Sequence, residues 1–90
     1  MFIIELNYKV PLTEIDAHLE AHRHFLDAYY ASGHFIASGP KNPRTGGIIL
    51  AAFDGQEALN QALCQDPFYI HHLADYKITE FNPNKGIFQK

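Results

Sequence analysis

Apolar residues alternate along positions 2–10, with Phe2, Ile4, Leu6, Tyr8 and Val10 on one face and Ile3, Glu5, Asn7 and Lys9 on the other. A period of two predicts a strand with one face turned toward a core. Pro11 ends it, because proline has no amide hydrogen to give to a ladder. Thr13 and Asp16 are then spaced as a capping pair, which predicts a helix starting there. Within that helix Ile15, Leu19, His22, Leu26 and Tyr29 recur at steps of four, three, four and three. At about 100° per residue they form one stripe, so His22 is expected to face inward.

Gly33 supplies a helix stop, and residues 34–38 read as a second strand closed by a turn at Gly39 and Pro40. Residues 41–47 combine breakers with polar groups and predict a loop, followed by an apolar third strand over 48–53 that belongs in the sheet centre. Asp54 is placed to cap a second helix over 56–64, with Ala58, Leu59, Ala62 and Leu63 as its apolar face. Pro67 can open a further helical turn, and residues 76–81 form a last strand. Pro83 and Gly86 predict an irregular segment over 82–90, able to lie across a neighbour.

Strand, helix, strand, strand, helix, strand predicts an α+β fold: the ferredoxin-like βαββαβ arrangement, a four-stranded antiparallel sheet with helices on one face. The other face is then left open. Ile3, the apolar strand 48–53 and Phe81 cannot all turn toward the helices, so that face is expected to pair with a second copy in a homodimer.

Length confines the choice further. Ninety residues cannot build two cores, so residues 1–90 are expected to form a single domain. With 47% hydrophobic and 19% charged residues and no low-complexity tract, folding is expected throughout. A net charge of −3 with scattered Lys and Arg argues against a nucleic-acid partner. The longest apolar run is six residues, against the roughly 20 that span a bilayer, so no membrane association is expected. The N-terminal residues lack a basic leader, and a single cysteine forms no internal disulfide, which together predict a reducing, cytoplasmic setting. Cys64 lies in a helical stretch and is read as a buried packing residue.

Chemistry begins with His22, a titratable ring in the middle of an apolar stripe. It is either a core histidine satisfied by a neighbour or a base held by an acid. Asp66, immediately before Pro67, is the candidate acid; the local sequence favours a cap for the next turn, and the two roles can coexist. Ser38, Gly39 and Pro40 offer a hydroxyl and a close backbone approach to a substrate, or simply a tight turn. Tyr8, Phe25 and Phe68 are candidate walls for a flat ligand, or plain core. His18 and His22 share a helical face, yet no following glutamate or clear third ligand accompanies them, and no metal or cofactor is expected.

The run His22-Arg23-His24-Phe25-Leu26, then Ala37-Ser38-Gly39-Pro40, Gly46-Gly47 and Asp66-Pro67-Phe68, resembles the YCII-related family over nearly the whole chain. The resemblance implies a dimeric α/β barrel, similar in build to muconolactone isomerases and small dehydrochlorinases. It also implies that His22 and Asp66 form an active-site pair. Two functions follow as expectations. One is proton abstraction, elimination or isomerisation on a small cyclic or unsaturated organic acid or lactone, with His22 as base and Asp66 orienting it. The other is a metabolite-binding or accessory module in which the same cleft holds a small molecule unchanged. A pure scaffold would leave His22 and Asp66 beyond hydrogen-bond distance.

Overall fold

In the computed structural model, which describes residues 1–86, the alternating N-terminal segment becomes β1, Phe2–Tyr8. Two short helices follow, α1 over Leu12–Ala17 and α2 over Leu19–Ala31. The hairpin β2, Phe35–Pro40, and β3, Gly46–Ala51, leads into α3 over Gln56–Leu63 and α4 over Pro67–Ile70, and β4, Ala74–Glu80, closes the domain. The sheet order is β2-β3-β1-β4 with every pair antiparallel, the ferredoxin-like topology, and β1 and β3 are its central strands.

Register fixes the two faces. Phe2, Ile4 and Leu6 point with Ile49 and Ala51 into a core shared with Ile15, Phe25, Leu59, Leu63 and Phe68 from the helices. On the opposite face Ile3 stands between Leu50 and Thr79, and Ile48 lies opposite Glu5. Ile3 and Ile48 keep 37% and 36% of their surface exposed, so the helices cover one side of the sheet only. Lys41 reaches both Glu5 and Asn7 on the open side, each at 2.5 Å.

Several boundaries differ from the sequence expectation. The first helix is interrupted at His18, which ends α1 and precedes α2, so His18 and His22 do not share one continuous face. The His18 ring stacks on His71 at 4.3 Å instead. Thr13 and Asp16 form no capping pair: Pro11 precedes α1, and the Asp16 carboxylate accepts from Arg44 at 2.6 Å. Nor does Asp54 cap α3, whose N-cap is Gly55 without a side-chain bond. Cys64 is exposed rather than buried, because it stands one position past the Leu59, Ala62 and Leu63 stripe at the end of α3.

The largest difference concerns the hairpin. Gly39 and Pro40 do not turn the chain but continue β2, opposite Ile48 and Gly47. An edge strand tolerates proline because its missing donor is not needed by an outer neighbour. Gly46 and Gly47 likewise belong to β3 rather than to the loop. A Cβ on Gly46 would lie 1.8 Å from the Leu6 carbonyl oxygen, so β1 and β3 approach here as only glycine allows. Gly33 performs the expected stop: at φ 84° it closes α2, with His34 N–H donating to Tyr29 O and Gly33 N–H to Tyr30 O. Among the described residues, no helix is long and apolar enough to cross a membrane. The expected irregular tail is free of helix and strand over 82–86, and its last four residues lie outside the described ones.

Candidate active site

Asp66 is where local structure and chemistry meet. Its place before Pro67 biases its backbone to the extended region, observed at φ −70° and ψ 123°, and Pro67 starts α4 with a ready-set φ. The side chain then folds forward to accept the Phe68 N–H at 3.0 Å, capping the helix. The same Oδ1 lies 2.7 Å from Nδ1 of His22, which reaches it from α2 across 44 positions of sequence. Oδ2 accepts the Tyr76 hydroxyl of β4 at 2.5 Å. Three donors thus surround a carboxylate with no exposed surface.

Phe68 N–H must donate and the Tyr76 hydroxyl donates to Oδ2, so an ionised Asp66 suits both, and the Nδ1 contact adds a third bond. In the neutral ring this contact selects the Nδ1–H tautomer and leaves Nε2 as the nitrogen able to accept a proton. Nε2 hydrogen-bonds no group among the described residues, and it is not sealed in the interior. Phe68 stacks on the ring at 3.9 Å with the planes 1° from parallel, so it locks the imidazole orientation from the side. Tyr76 holds its proton well above the ordinary tyrosine range, first because it is buried and then because the Asp66 charge opposes a second anion.

His22 lines a cavity of about 390 Å³ between α2 and the sheet, a volume suited to a small organic molecule. Leu6, Leu19, Leu26 and Ile49 give it apolar walls, and Tyr8, Ser38, Arg23 and Arg44 bring polar groups to it. Of the residues proposed from sequence, His22, Tyr8, Ser38, Gly39, Pro40 and Phe68 line this space. Asp66 sits behind the His22 ring. Phe25 does not line it: the side chain is buried between Tyr29 and Phe35 in the aromatic core. Ser38 already shares a 2.5 Å hydrogen bond with the Tyr30 hydroxyl, which positions its oxygen on the cavity wall.

Tyr76, Arg23 and Arg44 went unrecognised in the sequence. Tyr76 lies opposite Leu6, on the helix-facing side of β4, so strand parity was the available signal. Arg23 follows His22 directly, and Arg44 was hidden in a segment legible only as a loop. As for metals, Nδ1 of His22 is engaged by Asp66, and the His18 ring stacks on His71. Among the described residues no group of three or more His, Cys, Asp and Glu is arranged to hold an ion.

The fold and the site define a small ferredoxin-like protein carrying a histidine–carboxylate pair at one end of a cavity on the helix side of its sheet. The chain belongs to the YCII-related domain family, whose model matches residues 1–82. No curated protein matches the sequence. Among solved structures it is similar to 5-chloro-2-hydroxyhydroquinone dehydrochlorinase from Burkholderia phenoliruptrix AC1100, in complex with 2,5-dihydroxybenzoquinone. The likeness has a TM-score of 0.76 at 16% identity and covers 91% of this chain and 94% of that one, which establishes a common fold.

Proposed function

We propose that the protein is a small-molecule enzyme in which His22 acts as general base, held and electrostatically supported by Asp66. The observation that carries this reading is the 2.7 Å contact between Nδ1 and a fully buried carboxylate, with Nε2 left free toward a ligand-sized cavity. A merely structural histidine would spend both nitrogens on protein partners or face solvent. The Nε2 lone pair takes a proton from carbon adjacent to a carbonyl or conjugated system, and the C–H electron pair moves into the unsaturated framework. If a leaving group stands beyond, it departs with its bonding pair and the step is an elimination. Otherwise the imidazolium returns the proton to another carbon, which is an isomerisation. Asp66 stabilises the imidazolium in either case. The dehydrochlorinase carries out chemistry of the first kind on the same fold, which supports the reading by analogy.

The substrate class is a small cyclic or unsaturated organic acid or lactone, and the base is supplied by the chain itself without a cofactor. Incubating such compounds with the protein in D₂O tests this directly. Catalysed C–H exchange is expected by NMR, and His22→Gln should abolish it while the fold is retained. Exchange that survives the substitution removes His22 as the base. Compounds that bind the cavity and return wholly unexchanged would leave a binding module.

The active unit in this reading is a homodimer closed through the open sheet face, where Ile3, Ile48 and Phe81 are exposed together. Sedimentation at micromolar protein should give twice the chain mass, and a monomer would overturn it. The exposed Cys64 thiol suits a reducing compartment, in keeping with a cytoplasmic protein.

A further inference from the structure

The charge around the cavity runs against that of the chain. Acidic residues outnumber Lys and Arg by ten to seven, yet the cavity is lined by Arg23, Arg44 and His22 and by no Asp or Glu. Two nearby carboxylates are engaged away from it. Asp66 lies behind the His22 ring, and Asp16 holds one nitrogen of Arg44 from the α1 side. That bond orients the Arg44 guanidinium without exhausting its five N–H donors. Arg44 holds its proton above the ordinary arginine range, chiefly through the Asp16 hydrogen bond. Arg23 forms no ion pair with any described residue, so its guanidinium donors are available at the cavity rim.

We infer that the cavity selects a planar organic anion, with Arg44 and Arg23 receiving a carboxylate or phenolate oxygen while Leu6 and Leu26 cover the carbon skeleton. This rests on the proposed base for its catalytic meaning: anchoring the anion at the arginines presents the remaining carbon framework to Nε2 of His22. It narrows the substrate class from acids or lactones to the charged members. The guanidinium fork is matched to two coplanar oxygens, which favours a carboxylate over a tetrahedral ion.

The test compares benzoate with benzamide, which has nearly the same shape and no charge, by NMR titration of the full chain, with inorganic phosphate as a third probe. Benzoate should shift cavity resonances and bind at least about tenfold more tightly than benzamide. Arg44→Gln and Arg23→Gln should each weaken benzoate by roughly tenfold and leave benzamide unchanged. Equal affinity for the two probes, binding of neither, or benzoate affinity indifferent to both substitutions overturns the inference. Phosphate competing as well as benzoate overturns its planar-anion part. The base proposal fails on a different readout, the proton position on the His22 ring, so a wrong base and a wrong anion site give distinguishable results.

Discussion

Replacing Asp66 by asparagine separates what its charge does from what its shape does. Alanine is too blunt for this. It would strand the Phe68 N–H, the Tyr76 O–H and the His22 Nδ1–H at about 1–3 kcal/mol each. Their sum rivals the whole stability of a small domain, about 5–15 kcal/mol. Asparagine keeps one oxygen and adds one NH₂, and the Phe68 N–H decides which goes where: only oxygen can accept at the Oδ1 position. That oxygen still takes the proton of Nδ1, and the new NH₂ meets the Tyr76 hydroxyl, which can turn to accept. The His22 tautomer should therefore survive while the negative charge is lost. A hydrogen bond to a charged acceptor is worth about 1–2 kcal/mol more than one to a neutral acceptor, so turnover should fall about 5- to 30-fold. A flipped tautomer would cost on the order of 10⁴. Long-range ¹H–¹⁵N NMR of the ring reads the outcome without a substrate. Nε2 should resonate as an unprotonated nitrogen in both wild type and Asp66→Asn. A protonated Nε2 in the wild type would refute the proposed base, and a flip only in the variant would refute the steering role of Phe68 N–H.

Three further perturbations address other parts of the molecule. His72 sits at φ 56° just past α4, with its own N–H donating to Tyr69 O and Leu73 N–H to Phe68 O, a position that glycine fills at less cost. Relieving about 1–2 kcal/mol of left-handed strain against glycine's added entropy, His72→Gly should stabilise by about 0.5–1 kcal/mol, seen as a rise of several degrees in Tm. For Gly46→Ala the sign reverses. The clash with the Leu6 carbonyl is with backbone, so loss of folded protein is expected by circular dichroism, and a Tm within a few degrees of wild type would show the strands can part. Tyr76 gives a pH dependence. Its folded pKa is raised, so above pH about 10 the unfolded chain loses this proton while the folded chain keeps it, and stability must fall as pH rises. The stability gap between wild type and Tyr76→Phe, measured by urea unfolding, should shrink between pH 8 and 11, and a constant gap would refute the argument.

What was legible in the sequence follows from the range of the forces involved. The alternation in β1 and the stripe from Ile15 to Tyr29 report burial along one element, and burial did place Phe2, Ile4, Leu6, Ile15 and His22 inward. Gly33 and Pro67 were readable because each acts on its own backbone. Elsewhere a residue's role depends on a distant partner that the local pattern does not show. Asp16 has the spacing of a cap but is taken by Arg44 from the far hairpin. Gly46 and Gly47 look like loop punctuation, yet both are strand residues: β1 runs too close to Gly46 for any side chain, and Gly47 pairs with Leu6 and Pro40. Phe25 has the look of a pocket wall and is core, since it packs against Tyr29 and Phe35 while Leu26, the next residue of α2, takes the cavity side.

The triplet Asp66-Pro67-Phe68 shows how a long-range site can nonetheless rest on short-range rules. Proline biases the aspartate backbone toward extension, extension lets its carboxylate reach the Phe68 amide, and that amide fixes which carboxylate edge faces α2. Phe68 then places its ring parallel to the imidazole that the carboxylate holds. One three-residue turn therefore supplies the acceptor and the stacking surface for His22 while capping its own helix. Capping and orienting the histidine are accordingly not rival roles for Asp66. The cap makes the carboxylate rigid, and a rigid carboxylate is what a ring from another helix needs if its free nitrogen is to be aimed into the cavity rather than rotate away.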